Sequence, residues 1–143
     1  MTVRRRSRSC SPGAGARNRD RARDRCEYCL LPQSYAVVVR FHIEHLRARQ
    51  HGGDDTPANL ALVSPHGNRF KGPNFTSFDP ETDELVPLFN PRTQSWQEHF
   101  ALDNIMIVGL TPIGRATVRL LHMNAEDRLK VRAVLKERGE LEI

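Results

Sequence analysis

The spacing of hydrophobic and polar positions predicts an α+β chain that contains both strands and helices. Residues 34–41 (SYAVVVRF) are β-branched and aromatic, which is typical of a strand, and this strand is expected to end where His42 begins. The apolar run at residues 104–110 (NIMIVGL) predicts a buried strand, and a short strand is expected at residues 84–88. Residues 115–123 (RATVRLLHM) predict a helix.

Capping and turn residues set the expected limits of the other ordered segments. Asn124 is placed to cap a final helix that runs to about Arg138 and stops at Gly139. Pro65 and Gly67 are expected to interrupt the ordered segment that precedes them, because both residue types disfavour continuous regular structure.

Positive charge is concentrated at the N-terminus. The chain has a formal net charge of +5, yet residues 1–25 carry nine arginines and two aspartates, so the remainder is slightly acidic. Residues 1–17 are rich in Arg, Ser, Gly and Pro and predict a disordered tail, followed by a single domain at residues 18–143 that opens with a short exposed helix. The tail either neutralises nucleic-acid phosphates or is only a solvated extension, and the sequence leaves both interpretations open.

Several protein classes do not fit this composition. No stretch approaches the roughly 18 consecutive apolar residues that a membrane span needs, and the first residues lack the apolar core of a secretory signal. The chain has three cysteines, and two of them, Cys26 and Cys29, are separated by only two residues. They are too few and too close for a disulfide framework. We therefore expect a cytoplasmic protein in a reducing compartment that has no membrane partner.

The segment FHIEH places two imidazoles and a carboxylate within five residues. In a strand, His42 and Glu44 share one face and His45 points to the other. A single histidine is more often structural than catalytic. The adjacent pair is different, because Glu44 can hold a cation while a neutral His45 takes a proton from water.

The order of these residues resembles the HNH endonucleases of the ββα-metal (His-Me finger) class. The similar features are Cys26-Glu27-Tyr28-Cys29, the run FHIEH, Gly52-Gly53, Asn59-Leu60-Ala61-Leu62 and Asn68-Arg69-Phe70-Lys71-Gly72. The resemblance covers roughly residues 19–75, and it implies a small ββα-metal core with an additional C-terminal strand and helices. It also implies hydrolysis of phosphodiester bonds in nucleic acid, with DNA as the expected substrate.

The resemblance assigns a role to four residues. It implies that His45 is the general base, that Glu44 and Asn68 bind a divalent cation, and that Asn59 orients the base and braces the loop. Carboxylate and amide oxygens are hard donors, so Mg²⁺ or Mn²⁺ is the expected cofactor.

The positive side chains near the motif are the expected contacts to the DNA backbone. Arg47, Arg69 and Lys71 are assigned to this role, although an ordinary solvated charge is an equal alternative for Arg69 and Lys71.

One part of the family pattern is missing. Many relatives carry a second Cys-x-x-Cys, and the corresponding residues here are Ser64 and Gly67. Cys26 and Cys29 are then the remnant of a zinc site, with His66 as at most one further ligand, so a structural Zn²⁺ is expected to be absent or incomplete. The C-terminal elements are expected to stabilise the fold instead.

Two other functions compete with the nuclease. A non-catalytic nucleic-acid-binding protein derived from the HNH fold would bind DNA through its arginines without cutting it. A small α+β domain in which the His and Asn residues are only structural is the third alternative. Incubation with DNA and a divalent cation separates the first two, because only the enzyme produces new 5′-phosphate ends.

Overall fold

A computed structural model describes residues 14–35, 40–141 and 143. It contains helices and antiparallel strands, which confirms the α+β prediction. Helix α1 (Ala14–Ala22) and a short 3₁₀ helix (Gln33–Tyr35) precede the first strand. Residues 14–17, which were assigned to the tail, are therefore helical, and the rest of the tail lies outside the described residues.

The centre of the molecule is a β-hairpin followed by a helix. Strand β1 (His42–His45) pairs antiparallel with β2 (Leu60–Val63), and the last residue of β1 lies opposite the first residue of β2. Helix α2 (Pro65–Lys71) follows directly. Of the strand predicted at residues 34–41, the first two residues belong to the 3₁₀ helix and residues 36–39 lie outside the described part of the chain.

Strand β2 ends at Val63, before Pro65 and Gly67 as predicted, but these two residues lie in the helix that follows and do not form an irregular break. Pro65 occupies the first turn of α2, where the missing N–H of proline would have no helical partner in any case. The hydroxyl of Ser64 caps the helix by accepting a hydrogen bond from the Gly67 N–H at 3.1 Å. These residues begin the helix that carries Asn68.

The remainder of the chain wraps around this ββα unit. Its elements are β3 (Thr76–Phe78), β4 (Leu85–Pro87), α3 (Trp96–His99), β5 (Phe100–Asp103), β6 (Met106–Gly109), α4 (Pro112–Leu120) and α5 (Glu126–Glu137). Strands β3 and β4 form one antiparallel hairpin and β5 and β6 form another. The predicted strands at residues 84–88 and 104–110 and the predicted helix at residues 115–123 are therefore present, with shifted ends.

The predicted helix cap at Asn124 is wrong. The Asn124 side chain instead bonds to strand β6, where its Oδ1 accepts from the Ile107 N–H at 2.9 Å and its Nδ2 donates to the Ile107 carbonyl at 2.8 Å. Ala125 is the residue that precedes α5. The helix ends next to Gly139, whose φ of +70° is the left-handed conformation that glycine adopts easily.

One hydrophobic core joins the two parts of the molecule. Buried side chains from Cys26, Leu62, Phe100, Leu121 and Leu135 belong to the same cluster. The ββα unit therefore shares its interior with the C-terminal hairpin and helices. Within the residues that the structure describes, no helix is long and apolar enough to cross a membrane.

Candidate functional site

His45, at the end of β1, is held by a carboxylate that the sequence analysis did not identify. The His45 Nε2 lies 2.7 Å from Asp55 Oδ1, and the His45 side chain is 18% exposed. Arg49 fixes the other side of this carboxylate, with its Nη2 2.7 and 2.6 Å from the two Asp55 oxygens. His45, Asp55 and Arg49 thus form a chain of charge-assisted contacts in which one ring nitrogen of His45 is occupied.

Asn59 braces the loop between β1 and β2. Its Oδ1 accepts a hydrogen bond from the Arg47 N–H at 2.9 Å, and its Nδ2 donates to the carbonyls of Arg47 at 3.0 Å and Asp54 at 2.7 Å. Gly53 completes this contact, because a Cβ there would overlap the Arg47 carbonyl. The loop that follows His45 is therefore fixed at both Arg47 and Asp54.

Glu44 and Asn68 lie on neighbouring elements, β1 and α2. The Glu44 side chain is 33% exposed, and His42 Nδ1 lies 3.8 Å from its Oε1. Asn68 is half-buried on α2. It lies three residues before Lys71, so the side chains of Asn68 and Lys71 share one face of the helix. Among the described residues, no hydrogen bond or ion pair joins Glu44 to Asn68. Within the described part of the chain, no side-chain oxygen of Glu44 or Asn68 accepts a hydrogen bond, although His42 approaches Glu44.

Lys71 is buried, and its ammonium group has protein partners. Its Nζ donates to the carbonyls of His45 at 3.3 Å and Leu46 at 3.2 Å, at the end of β1. Burial lowers the pKa of Lys71 to about 8, and the negative charge of Glu44 partly opposes that shift. Sequence reasoning placed this charge on the surface, whereas the structure uses it to tie α2 to the end of β1.

The two arginines assigned to DNA contact are exposed. The guanidinium of Arg69 lies 4.7 Å from the centre of the Phe70 ring, and that of Arg47 lies 5.4 Å from the centre of the Phe75 ring. Both cations remain accessible to a phosphate, and their role in DNA binding stays a prediction.

The cysteine pair flanks a turn at residues 27–28, which is closed by a hydrogen bond from the Leu30 N–H to the Cys26 carbonyl at 2.8 Å. Cys26 and Cys29 are buried and their thiols are hydrogen-bonded to each other. Burial raises the pKa of Cys26, but hydrogen bonds from Cys29 and from the backbone of Ser64 outweigh it and lower that pKa.

The groups around this pair do not complete a zinc site. His66 Nε2 is bonded to the His122 carbonyl at 2.9 Å. Across the part of the chain that the structure describes, no three His, Cys, Asp or Glu side chains are grouped to hold a metal. Among the described residues, the groups around Cys26 and Cys29 therefore do not fit a closed structural zinc site.

Contacts from the C-terminal part of the chain hold the cysteine loop instead. The indole Nε1 of Trp96 donates to the Tyr28 carbonyl at 2.8 Å in a buried setting. Glu27 forms an ion pair with Arg92, and both side chains are largely buried. The second oxygen of Glu27 accepts from the Leu62 N–H at 2.8 Å, so the same carboxylate also anchors β2.

The missed residue Asp55 gave only a weak signal in the sequence. It lies ten residues after His45 in a turn-forming stretch that follows two glycines, and no periodicity relates the two positions. The sequence signal was only that an acidic residue lies between His45 and Asn59. Nothing in the sequence indicated a role for Arg49, because its partner Asp55 had not been identified.

A comparison with protein families agrees with this geometry. Residues 26–73 match the family model described as HNH endonuclease. No curated protein and no solved structure matches the chain. The matched residues include the cysteine loop, the β1–β2 hairpin and α2, which are the elements that position His45, Asn59 and Asn68. The predicted resemblance is confirmed for residues 26–73, the part of the chain that is similar to the HNH endonuclease domain.

Proposed function

We propose that the protein is a metal-dependent endonuclease that hydrolyses phosphodiester bonds in DNA, with His45 as the general base. The contact of 2.7 Å between His45 Nε2 and Asp55 carries this proposal. A carboxylate at this distance favours the imidazole tautomer that has its proton on Nε2. The lone pair is then on Nδ1, the nitrogen that remains to take a proton from water.

The neighbouring residues keep the base in position. Arg49 holds Asp55 from the opposite side, so the carboxylate cannot rotate freely away from the ring. Asn59 fixes the backbone at Arg47, two residues after the base, through both of its side-chain atoms. This arrangement gives His45 the orientation that proton transfer requires before the substrate arrives.

Glu44 and Asn68 are the residues that would hold the divalent cation. One carboxylate and one amide oxygen are hard donors that suit Mg²⁺ or Mn²⁺, which fill their other positions with water and phosphate oxygens. When bound, the cation stabilises negative charge on the phosphate and on the leaving oxygen. Glu44 and His45 are the last two residues of β1, and Lys71 of α2 contacts the His45 carbonyl, so the proposed cation ligands and the base lie at the same end of this strand.

Positive side chains around the site would hold the DNA backbone. Arg47 and Arg69 are exposed on the loop after β1 and on α2, and the arginines of residues 1–17 add sequence-independent affinity. Lys71 contributes differently, because its ammonium group is bound to the carbonyls of His45 and Leu46. Its part in the reaction is to fix the end of the catalytic strand.

A cleavage assay tests the proposed function. Purified protein is incubated with single-stranded, double-stranded and nicked DNA in the presence of Mg²⁺ or Mn²⁺, and the ends of the products are analysed. We expect 5′-phosphate ends and at least an approximately 100-fold loss of rate in His45→Ala. His42→Ala is the matched control, because it removes an exposed imidazole from the same strand. Binding of DNA without cleavage by the unmodified protein would favour the non-catalytic alternative.

A further inference from the structure

A pocket of about 400 Å³ lies beside the proposed active site. Arg47, Asn59 and Lys71 line it from the catalytic side, while Asn90 and Gln94 line it from the loop before α3. This side pocket is therefore formed jointly by the HNH domain and by the C-terminal part of the chain. None of the roles proposed above for base, cation or loop requires an open cavity at this place.

The side pocket is physically connected to the catalytic strand. Lys71 in its wall donates to the carbonyl of His45, and Asn59 in its wall fixes the backbone of Arg47. A group bound in the pocket would therefore contact residues that hold the backbone of His45 and Arg47.

An aromatic ring stands at the opening of the side pocket. Phe75 is 37% exposed although it is a large apolar side chain. Arg47 lies 5.4 Å from the centre of its ring, and the His51 ring lies 5.2 Å from it at an angle of 65°. An exposed aromatic ring next to a cation is the combination that binds unpaired bases, because the ring stacks on the base and the cation attracts its phosphate.

The far wall of the side pocket carries amide groups with unused donors. Asn90 Oδ1 accepts from the Arg92 N–H at 2.8 Å, and Gln94 Oε1 accepts from the Asn90 N–H at 2.8 Å. Both amide oxygens are therefore occupied, and within the described residues no hydrogen bond uses either amide nitrogen. These NH₂ groups are left to donate to the carbonyl oxygens or ring nitrogens of a base edge.

We propose that the side pocket binds one unstacked nucleobase of the DNA strand that is cut. This inference rests on the proposed nuclease function and names its substrate class, which is single-stranded or locally opened DNA. A volume of about 400 Å³ lies at the small end of the usual range of roughly 300–1,000 Å³ for ligand pockets, so it suits one flat base with its sugar. A base inside an intact duplex has both faces stacked and cannot enter.

The first experiment measures binding without cleavage. Affinity for single-stranded DNA is measured in EDTA for the unmodified protein, Phe75→Ala, Phe75→Tyr and Phe78→Ala. We expect a loss of about tenfold in Phe75→Ala and retention in Phe75→Tyr, because stacking needs only an aromatic ring. Phe78 is also an exposed phenylalanine, but it lies on β3 and does not line the side pocket. Its replacement is expected to leave the affinity unchanged.

The second experiment places the base relative to the cut. Single-stranded DNA with one abasic nucleotide is cleaved in Mn²⁺, and the products are resolved to single nucleotides. With the unmodified protein, cleavage is expected to fall about tenfold at one bond at a fixed distance from the abasic position. In Phe75→Ala that selective loss disappears, because the base no longer has a ring on which to stack.

The outcomes separate this inference from the proposed function. Cleavage of DNA with a uniform abasic pattern and unchanged affinity of Phe75→Ala would overturn the base pocket while leaving the nuclease intact. An equal loss in Phe75→Ala and Phe78→Ala would also overturn it. No cleavage, together with a selective loss of affinity in Phe75→Ala, would contradict the nuclease and support the pocket. Absence of any binding to single-stranded DNA would contradict the base pocket.

Discussion

Replacing Arg92 with Met tests whether contacts from the C-terminal part of the chain stabilise the cysteine loop, which a structural zinc stabilises in many relatives. Arg92, in the loop before α3, pairs with Glu27 of the cysteine loop, and the two side chains are only 11% and 9% exposed. Loss of the guanidinium leaves the Glu27 carboxylate buried without a counter-charge. Breaking a buried pair in this way costs about 3–5 kcal/mol, which is a large part of the roughly 5–15 kcal/mol that stabilises a typical domain.

A double variant separates the effect of the unpaired charge on stability from the effect of lost packing. In Glu27→Gln/Arg92→Met the charge is gone, but the amide oxygen of Gln can still accept the Leu62 N–H that Glu27 accepts now. We therefore expect the double variant to be more stable than Arg92→Met alone. The free energy of unfolding is measured by denaturant titration, with the exposed Arg119→Met as the control, for which a change within about 0.5 kcal/mol is expected. A similarly small change in Arg92→Met would refute the reasoning.

Three further predictions follow from individual contacts. Asp55→Asn is expected to lower the cleavage rate on the order of 10- to 100-fold, because it weakens the contact between Asp55 and the His45 ring. Asp54→Asn is the control and should retain activity. Equal rates in both variants would exclude the role of Asp55. Burial lowers the Lys71 pKa to about 8, so the folded state loses this proton at lower pH than the unfolded state does. The free energy of unfolding, relative to that of Lys71→Met, should therefore rise by about 2 kcal/mol between pH 8 and pH 10. Denaturant titrations at both pH values check this, and a difference that does not change with pH would contradict it. Elemental analysis of the purified protein should find well below one zinc per chain, and a full equivalent that resists chelators would show that other residues complete the cysteine site.

The parts of the fold that depend on local chemistry could be predicted from the sequence. The apolar run that contains β6 and the glycine that ends α5 are local signals, and both are present in the structure. Pro65 was misjudged because proline breaks the interior of a helix but favours its first turn, and only the cap at Ser64 distinguishes the two cases.

Predictions failed where a distant contact decides the role of a side chain. Asn124 has the residue type of a helix cap, but its pairing with Ile107 on β6 takes precedence. Lys71 has the residue type of a surface charge, yet the carbonyls at the end of β1 draw it inward. The order of the residues along the chain was enough to predict the resemblance to the HNH family. The contact between His45 and Asp55 became visible only in the structure, because no spacing rule predicts which loop residue will contact a strand residue ten positions earlier.

Binding of Mn²⁺ is the most direct test of the central claim that Glu44 and Asn68 form a cation site beside His45. Calorimetric titration of the unmodified protein is expected to show one Mn²⁺ per chain. Glu44→Gln and Asn68→Ala should each weaken that binding about tenfold or more, while His45→Ala should retain it, because the base is not a ligand. Unchanged Mn²⁺ affinity in both Glu44→Gln and Asn68→Ala would contradict the account.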